Sequence, residues 1–361
     1  MSQSTDQQRT PLQRHPMARI VPALVLCCLG LAPALAESPA RPEELPENPN
    51  CEERATRLTH PGGATLATEY DVREFGRLYR HVAGDLTIEG SGVRDTKALA
   101  CLESVDGDLW VMNSPNLLGL SLTSLKTLKD LWIHDNASLR TVQLPALTQV
   151  TRPASGPVGG HLRIQRNPQL ESIDAPHLTH LAGALELVEL PSLVGVGLLS
   201  LQQVEGHVLI RTNASLPRLV LTSLLEVGGS LGIDNSASLV QVNLFSLKSV
   251  QGDLWVGRPP DSHQAPPGSA RLTGNRQLER IYVSSLERVG GLLAITHNAT
   301  LDRLDVPETV TTARGIQLRD CPRLSSRSVG LANNPQMTVC GLSDSPSCSR
   351  SSQAPLGAPS P

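Results

Sequence analysis

Residues Val208–Ser230 and Leu231–Asp253 are two consecutive blocks of equal length, and the second restates the first. Ile210 returns as Ile233, Leu216 as Leu239, Leu221 as Leu244, Val227 as Val250 and Gly229 as Gly252. Self-similarity at a fixed period of about 23 residues marks a solenoid, because one coil cannot bury its own apolar face and must stack on the next. Composition agrees. Aromatic residues make up 2 % of the chain, while Gly and Pro number 29 and 28. A layered globular core leans on Phe, Tyr and Trp; a stack of Leu, Val and Ile does not.

Alignment on L-x-I-x-x-N-x-x-L gives ten coil starts: Leu86, Leu109, Leu131, Leu162, Leu185, Val208, Leu231, Leu254, Leu293 and Ile316. Most follow one another at that period, and the two longer spacings hold Pro- and Gly-rich insertions at 151–160 and 257–273. Solenoids expel such insertions as surface loops. Each coil carries three short apolar pieces, as in Val208-x-Ile210, Leu216-x-x-Leu219-x-Leu221 and Leu224-x-x-Val227. Alternation over so short a stretch specifies strands, and a single period leaves no space for a helix between them. Gly206, Gly229, Gly252 and Gly291 follow the third piece, at a corner that needs either φ > 0 or close backbone approach. Parallel layers about 4.8 Å apart then predict a three-sided rod about 50 Å long.

An Asn recurs at the fifth position after the coil start: Asn136, Asn167, Asn213, Asn275 and Asn298. Stacked Asn side chains satisfy backbone groups that a corner leaves unpaired, so these predict an inward-facing ladder. Asn136, Asn213 and Asn298 also stand in N-x-[ST] sequons, but the ladder is the better reading.

The flanks differ from the repeat. Residues 1–36 read as a secretory signal, with Arg9, Arg14 and Arg19 ahead of the apolar run Ile20–Leu31 and a small-x-small site at Ala34-Leu35-Ala36. Cleavage after Ala36 leaves 28 basic and 33 acidic residues, a net charge of −5. Lipidation at Cys27 or Cys28 is the alternative, disfavoured by the bulky Leu26 before Cys27. The expected place is the periplasm, the cell surface or the medium, with no membrane span left after cleavage. Residues 37–50 are a Pro- and Glu-rich linker, 51–341 the solenoid, and 342–361 a Ser- and Pro-rich tail with no core-forming residues.

The recurring pattern V-x-G-D-L-x-I-x-x-N-x-x-L-x-x-L-x-L-x-x-L-x-x-V-x-G, as at Val250-Gln-Gly-Asp-Leu254, resembles the receptor L-domain. This is the leucine-rich β-helix unit of insulin- and epidermal-growth-factor-type receptor ectodomains and of related surface proteins. The resemblance spans about Cys51 to Gly341. It implies an all-β, right-handed β-helix or leucine-rich solenoid of about ten coils, with short caps at both ends and a partner-binding face. Horseshoe leucine-rich repeats stay open as the neighbouring alternative, since their period of 20–29 residues overlaps. The chain lacks the Cys-rich module, membrane helix and kinase of the receptors, so signalling does not carry over. Export favours disulfides. Cys51 with Cys101 would clamp an N-terminal cap, and Cys340 with Cys348 would close the other end. Cys321 sits in an Asn-ladder slot and is expected to be a free, buried thiol, with pairing to Cys340 the alternative.

On a strand of period two, the residue inside L-x-I points outward, as does the one after it. This places Trp110, Met112, Trp132, His134, Arg163 and Trp255 on one outer face as candidate contact residues, with Trp110 and Trp132 one layer apart. Exposed Trp marks interfaces and sugar sites; an aromatic ladder that stiffens the sheet is the competing reading. Chemistry is harder to place. The outward carboxylates Glu89, Glu186 and Asp234 lie too many coils apart for paired acid–base work. Asp85, Asp108, Asp130 and Asp253 repeat before coil starts, where turn capping explains them better than calcium. His177-x-x-His180 is a weak metal signal, and no C-x-x-C, phosphate loop or nucleophile elbow implies a metal or cofactor. With no basic run, nucleic acid is an unexpected partner. The expectation is an exported binding or structural module, not an enzyme, whose partner is a protein or glycan of the cell envelope. The alternatives are a carbohydrate-active enzyme on a β-helix scaffold and an envelope protein without a specific ligand.

Overall fold

The structure, a computed structural model, describes residues 51, 58–151, 159–260, 274–326, 329, 331 and 334–347. All of them fall in the unit Leu45–Pro361. The expected signal at 1–36, the linker at 37–50, Cys27, Cys28 and Cys348 lie outside the described residues, as do most of both insertions and of the segment 342–361.

The chain is nearly all-β, 5 % helical, and its parallel strands stack as a β-solenoid of about 11 turns of roughly 23 residues. The three apolar pieces of a coil become three strands, as in Val208–Arg211, Arg218–Val220 and Glu226–Val227. Each pairs in register with its counterpart in the neighbouring coil: Val208 with Leu231, Leu219 with Val242, and Val227 with Val250. Inward residues interdigitate from layer to layer, and Leu109, Leu131, Leu185, Ile210, Leu231 and Ile233 are fully buried. Each such side chain contributes about 1.5–3 kcal/mol of hydrophobic stabilisation.

The stack runs one layer further at each end than the ten coil starts. Ala64–Thr68 pairs with Leu86–Gly92, and Met337–Leu342 pairs with Ile316–Cys321. In the first layer a helix, Glu69–Leu78, takes the place of the middle strand. Its first turn is fixed by a capping box, in which Thr68 Oγ1 accepts from the Asp71 N–H and Asp71 accepts from the Thr68 N–H. That Thr68 contact holds the Asp71 carboxyl below its usual value. The helix buries Val72, Phe75 and Gly76, spaced i, i+3, i+4, against the solenoid end. Cys51 and Cys101 form the expected disulfide, which is worth about 4 kcal/mol in the chain-entropy account for a loop of this length. Among the described residues no helix is long and apolar enough to cross a membrane.

The corners obey two different rules. The residue before the ladder position adopts a left-handed conformation in eight coils, at Asn113, Asp135, Arg166, Glu189, Thr212, Asn235, His297 and Asp320, with φ between 47° and 59°. This turn costs about 1–2 kcal/mol per non-Gly residue, and it aims the next side chain inward. The corner glycines do the opposite: Gly206 and Gly229 have ordinary φ and are there for space. A Cβ on Gly229 would lie 2.9 Å from the Gly206 carbonyl carbon, and one on Gly206 would lie 2.7 Å from that of Gly183. Of the two reasons the sequence allowed, close approach is the operative one.

All five ladder asparagines are fully buried. Asn275 shows the pattern. Its Oδ1 accepts from the Ser236 N–H at 3.0 Å, its Nδ2 donates to the Ile233 carbonyl at 3.0 Å, and its own N–H donates to Asn298 Oδ1 at 3.2 Å. Asn136, Asn167, Asn213 and Asn298 repeat the Nδ2 bond to the carbonyls of Val111, Ile133, Leu187 and Val256. Cys321 occupies the same slot as a free, buried thiol, and burial pushes its pKa up to about 11. A thiol reagent is therefore expected to label Cys321 only at the rate of structural opening; prompt labelling of the folded protein at pH 8 would contradict this packing. Cys340 is disulfide-bonded, and its partner lies outside the described residues.

Two lateral ladders are interrupted, at adjacent levels: the side sheet between the Leu185 and Val208 coils, and the Asn ladder between Asn167 and Leu190. Arg140, Glu171 and Val194 each donate an N–H to the preceding coil, as do Val240, Glu279 and Asp302. Pro217 stands in the same column and has no N–H to give. The side sheet consequently splits into two four-stranded sheets, ending at Gly195–Gly197 and restarting at Arg218–Val220. In that coil Leu190 fills the ladder slot, so it offers no side-chain acceptor to Asn167.

Candidate functional site

The outward residues of the main sheet form vertical columns, because the register advances by 22 or 23 positions in the regular coils and by 31 across the first insertion. Thr65, Thr87, Trp110, Trp132, Arg163, Glu186 and Leu209 make one column. Glu89, Met112, His134, Gln165, Val188 and Arg211 make the next.

Five of the six candidate residues are thereby brought together. The Trp110 and Trp132 rings stack with centroids 4.8 Å apart and planes 8° apart. Arg163 lies over the other face of Trp132, its Cζ 4.4 Å from the ring centroid. Trp132 is therefore sandwiched, and among the described residues its Nε1–H has no acceptor. His134 sits edge-on to Trp110, and Met112 lies beside it in register. Both indoles, Met112, His134 and Arg163 are half-buried.

Trp255 does not join them. It is 3 % exposed and stands five layers further along the stack, about 24 Å away. Its indole folds back over Gly232 of the preceding coil, where a Cβ has no room, and packs on Leu292 and Ala294. Its Nε1 donates to Asp234 Oδ2 at 3.0 Å. The Asp234 carboxylate is fully buried and accepts two hydrogen bonds from Arg211, at 2.8 and 3.0 Å. Burial raises the Asp234 pKa, and the Arg211 contact opposes that rise. The indication from sequence that Trp255 belongs to an outer contact surface is therefore corrected: here the aromatic ring is structural.

Residues beyond the six complete the array around the Trp pair. Glu186 Oε1 lies 2.8 Å from Arg163 Nε and 3.0 Å from His207 Nε2, and Oε2 accepts from Gln165 at 2.7 Å. Burial alone would raise the Glu186 pKa; the His207 bond and the charge of Arg163 outweigh it and the pKa falls. His161 is tilted against Trp132. Its Nδ1 accepts the Ala184 N–H at 2.9 Å, so the neutral ring carries its proton on Nε2. Burial first, then the charge of Arg163, lowers the His161 pKa. Arg166 and Asp135 form a two-bond ion pair at 2.8 Å, which brings the Asp135 pKa down to about 2. His161 and His207 precede coil starts, two residues ahead of Arg163 and Leu209 in the Trp132 column, and no sequence motif marks them.

The outward carboxylates are each engaged separately: Glu89 accepts from Asn113 at 3.0 Å, Glu186 holds Arg163 and His207, and Asp234 holds Arg211 and Trp255. The aspartates before coil starts cap the next layer. Asp85 accepts from the Asp108 N–H, Asp130 from the His161 N–H, and Asp253 from the Leu292 N–H, at 2.8, 2.6 and 2.7 Å. His180 pairs with Glu205 at 3.1 Å. Among the described residues no three His, Cys, Asp or Glu side chains cluster as a metal site would require. Compared with known proteins, the sequence matches no family model and none of the curated proteins.

Proposed function

We propose that this chain is an exported binding module of the receptor L-domain type, which recognises a protein or glycan of the cell envelope through the sheet face around Trp110 and Trp132. One observation carries the reading. The chain has a way to cover a structural Trp completely, and it does so with Trp255. At Trp110 and Trp132 it leaves two of its three indoles half-open, side by side, in a bed of ordered charged groups. Exposed aromatics held rigidly by their neighbours are the usual anchors of recognition surfaces. The engagement of each outward carboxylate in its own ion pair or hydrogen bond favours recognition over turnover. The Cys51–Cys101 disulfide fits an oxidising compartment.

The test is retention of native envelope material on immobilised mature protein. Trp110→Ala/Trp132→Ala is expected to keep a cooperative unfolding transition and to lose most of the material that the wild type retains. Unchanged retention would remove this face from the function. Cleavage of envelope polysaccharide that survives the double variant and dies with a carboxylate substitution would replace binding with catalysis.

A further inference from the structure

The aromatic stack ends abruptly, and its end has the shape and chemistry of a site. Trp132 is covered on both faces, by Trp110 and by Arg163. Trp110 is covered on one. On its other side the next residues in the column are Thr87 and then Thr65. Among the described residues no ring and no cation stacks on that face of Trp110. A threonine reaches far less from the sheet than an indole. The outcome is a step, with the Trp110 ring as its wall and the two threonines as its floor. Thr65 is exposed and Thr87 half-buried, so the floor is open to solvent.

The polar atoms at this step are only partly engaged. The Thr65 and Thr87 hydroxyls make no hydrogen bond within the described chain. Glu89 and Asp85 flank Thr87 on the same outward side of the strand. Glu89 accepts from Asn113 through one oxygen, and among the described residues its second oxygen accepts no hydrogen bond. Asp85 gives one oxygen to the Asp108 N–H. An apolar wall meeting a floor of hydroxyls and carboxylate acceptors suits a ring with one apolar C–H face and hydroxyl groups at its rim. The two carboxylates select against a second negative charge.

We propose that the step formed by Trp110, Thr87, Thr65 and Glu89 binds a neutral pyranose residue of a glycan chain, with the sugar's C–H face on the Trp110 indole and its hydroxyls on Glu89 and the threonines. This rests on the reading of the Trp face as a recognition surface and names the ligand class for one part of it. Uronates and other acidic sugars bind more weakly at this step because Asp85 and Glu89 face them.

Titration of the mature protein with neutral and uronate oligosaccharides, followed by indole fluorescence, tests the proposal. Neutral oligosaccharides are expected to shift the emission and saturate; uronates of the same length are expected to bind several-fold more weakly. Thr87→Trp extends the existing stack by one ring on a strand position that accepts aromatics, and it fills the step. It is expected to keep the unfolding transition and to reduce neutral-sugar affinity at least about tenfold. Glu89→Gln is expected to weaken neutral sugars several-fold and to narrow the gap to uronates. Saturable binding that Thr87→Trp leaves unchanged would overturn the site. If no oligosaccharide binds, yet envelope material is still retained through Trp110 and Trp132, the sugar site falls and the recognition face stands. If neither is seen, both fall.

Discussion

Asn275→Leu is expected to destabilise the solenoid by about 2–6 kcal/mol, the cost of two orphaned buried groups. The Ser236 N–H loses its acceptor and the Ile233 carbonyl loses its donor, and each such orphan costs about 1–3 kcal/mol. Shape contributes little, since Leu190 already occupies the equivalent slot of another coil without exposure. The reverse substitution, Leu190→Asn, restores a side-chain acceptor beside Asn167 and is expected to stabilise the fold by about 1 kcal/mol. Urea unfolding of both variants gives the comparison. A loss below about 1 kcal/mol for Asn275→Leu would mean that the ladder follows the turn instead of securing it.

Passage through a eukaryotic secretory pathway is expected to abolish folding of the same chain. Asn136, Asn213 and Asn298 each satisfy the N-glycosylation sequence and each is fully buried. Their Nδ2 atoms, the points of glycan attachment, donate to the carbonyls of Val111, Leu187 and Val256 inside the stack. Glycans are added before the coil closes, and a glycan cannot enter a core packed at organic-crystal density. Chains that carry one should remain unfolded and be retained. The triple variant Ser138→Ala, Ser215→Ala, Thr300→Ala removes the acceptor sequences without touching the ladder and should restore folded product. Its main cost is the Thr300 hydroxyl, which bonds the Arg276 and Leu278 carbonyls. Recovery of folded wild-type protein bearing a glycan at Asn213 would refute this expectation.

The repeat itself was legible because Leu, Ile and Asn carry it directly: inward positions accept few residue types, and those types recur at the same place in coil after coil. The left-handed corner ahead of the ladder slot left no trace, because its residue is Asn, Asp, Arg, Glu, Thr or His without preference. The first layer escaped notice for another reason. Ala64-Thr65-Leu66 is a weak version of L-x-I, and the helix after it breaks the strand period. At the candidate site, alternation along each strand put Trp110 and Trp132 outward, one layer apart. It did not tell open from covered. That distinction depends on the neighbour one coil away: Trp255 is buried because Gly232 lies beneath it, whereas Trp110 keeps a free face because Thr87 is small. Residues a full coil apart carried this information, and reading along single strands passes over it.

The interruption at Pro217 has a mechanical meaning. Layers of a solenoid are coupled in series, so tension applied along the stack is borne equally by every layer and relieved at the weakest. At most levels three hydrogen-bonded ladders and an Asn contact share the load. Between the Leu185 and Val208 coils the side-sheet ladder is missing, leaving the main sheet, the Gln203–Val204 to Glu226–Val227 pairing and the bonds of Asn213 to the Leu190 N–H and the Leu187 carbonyl. Within the run of coils from Leu109 to Leu293, which otherwise keeps all three strand ladders, a pull on the two ends would part the layers there first. For a protein tethered at one end and bound at the other, that level is a built-in yield point.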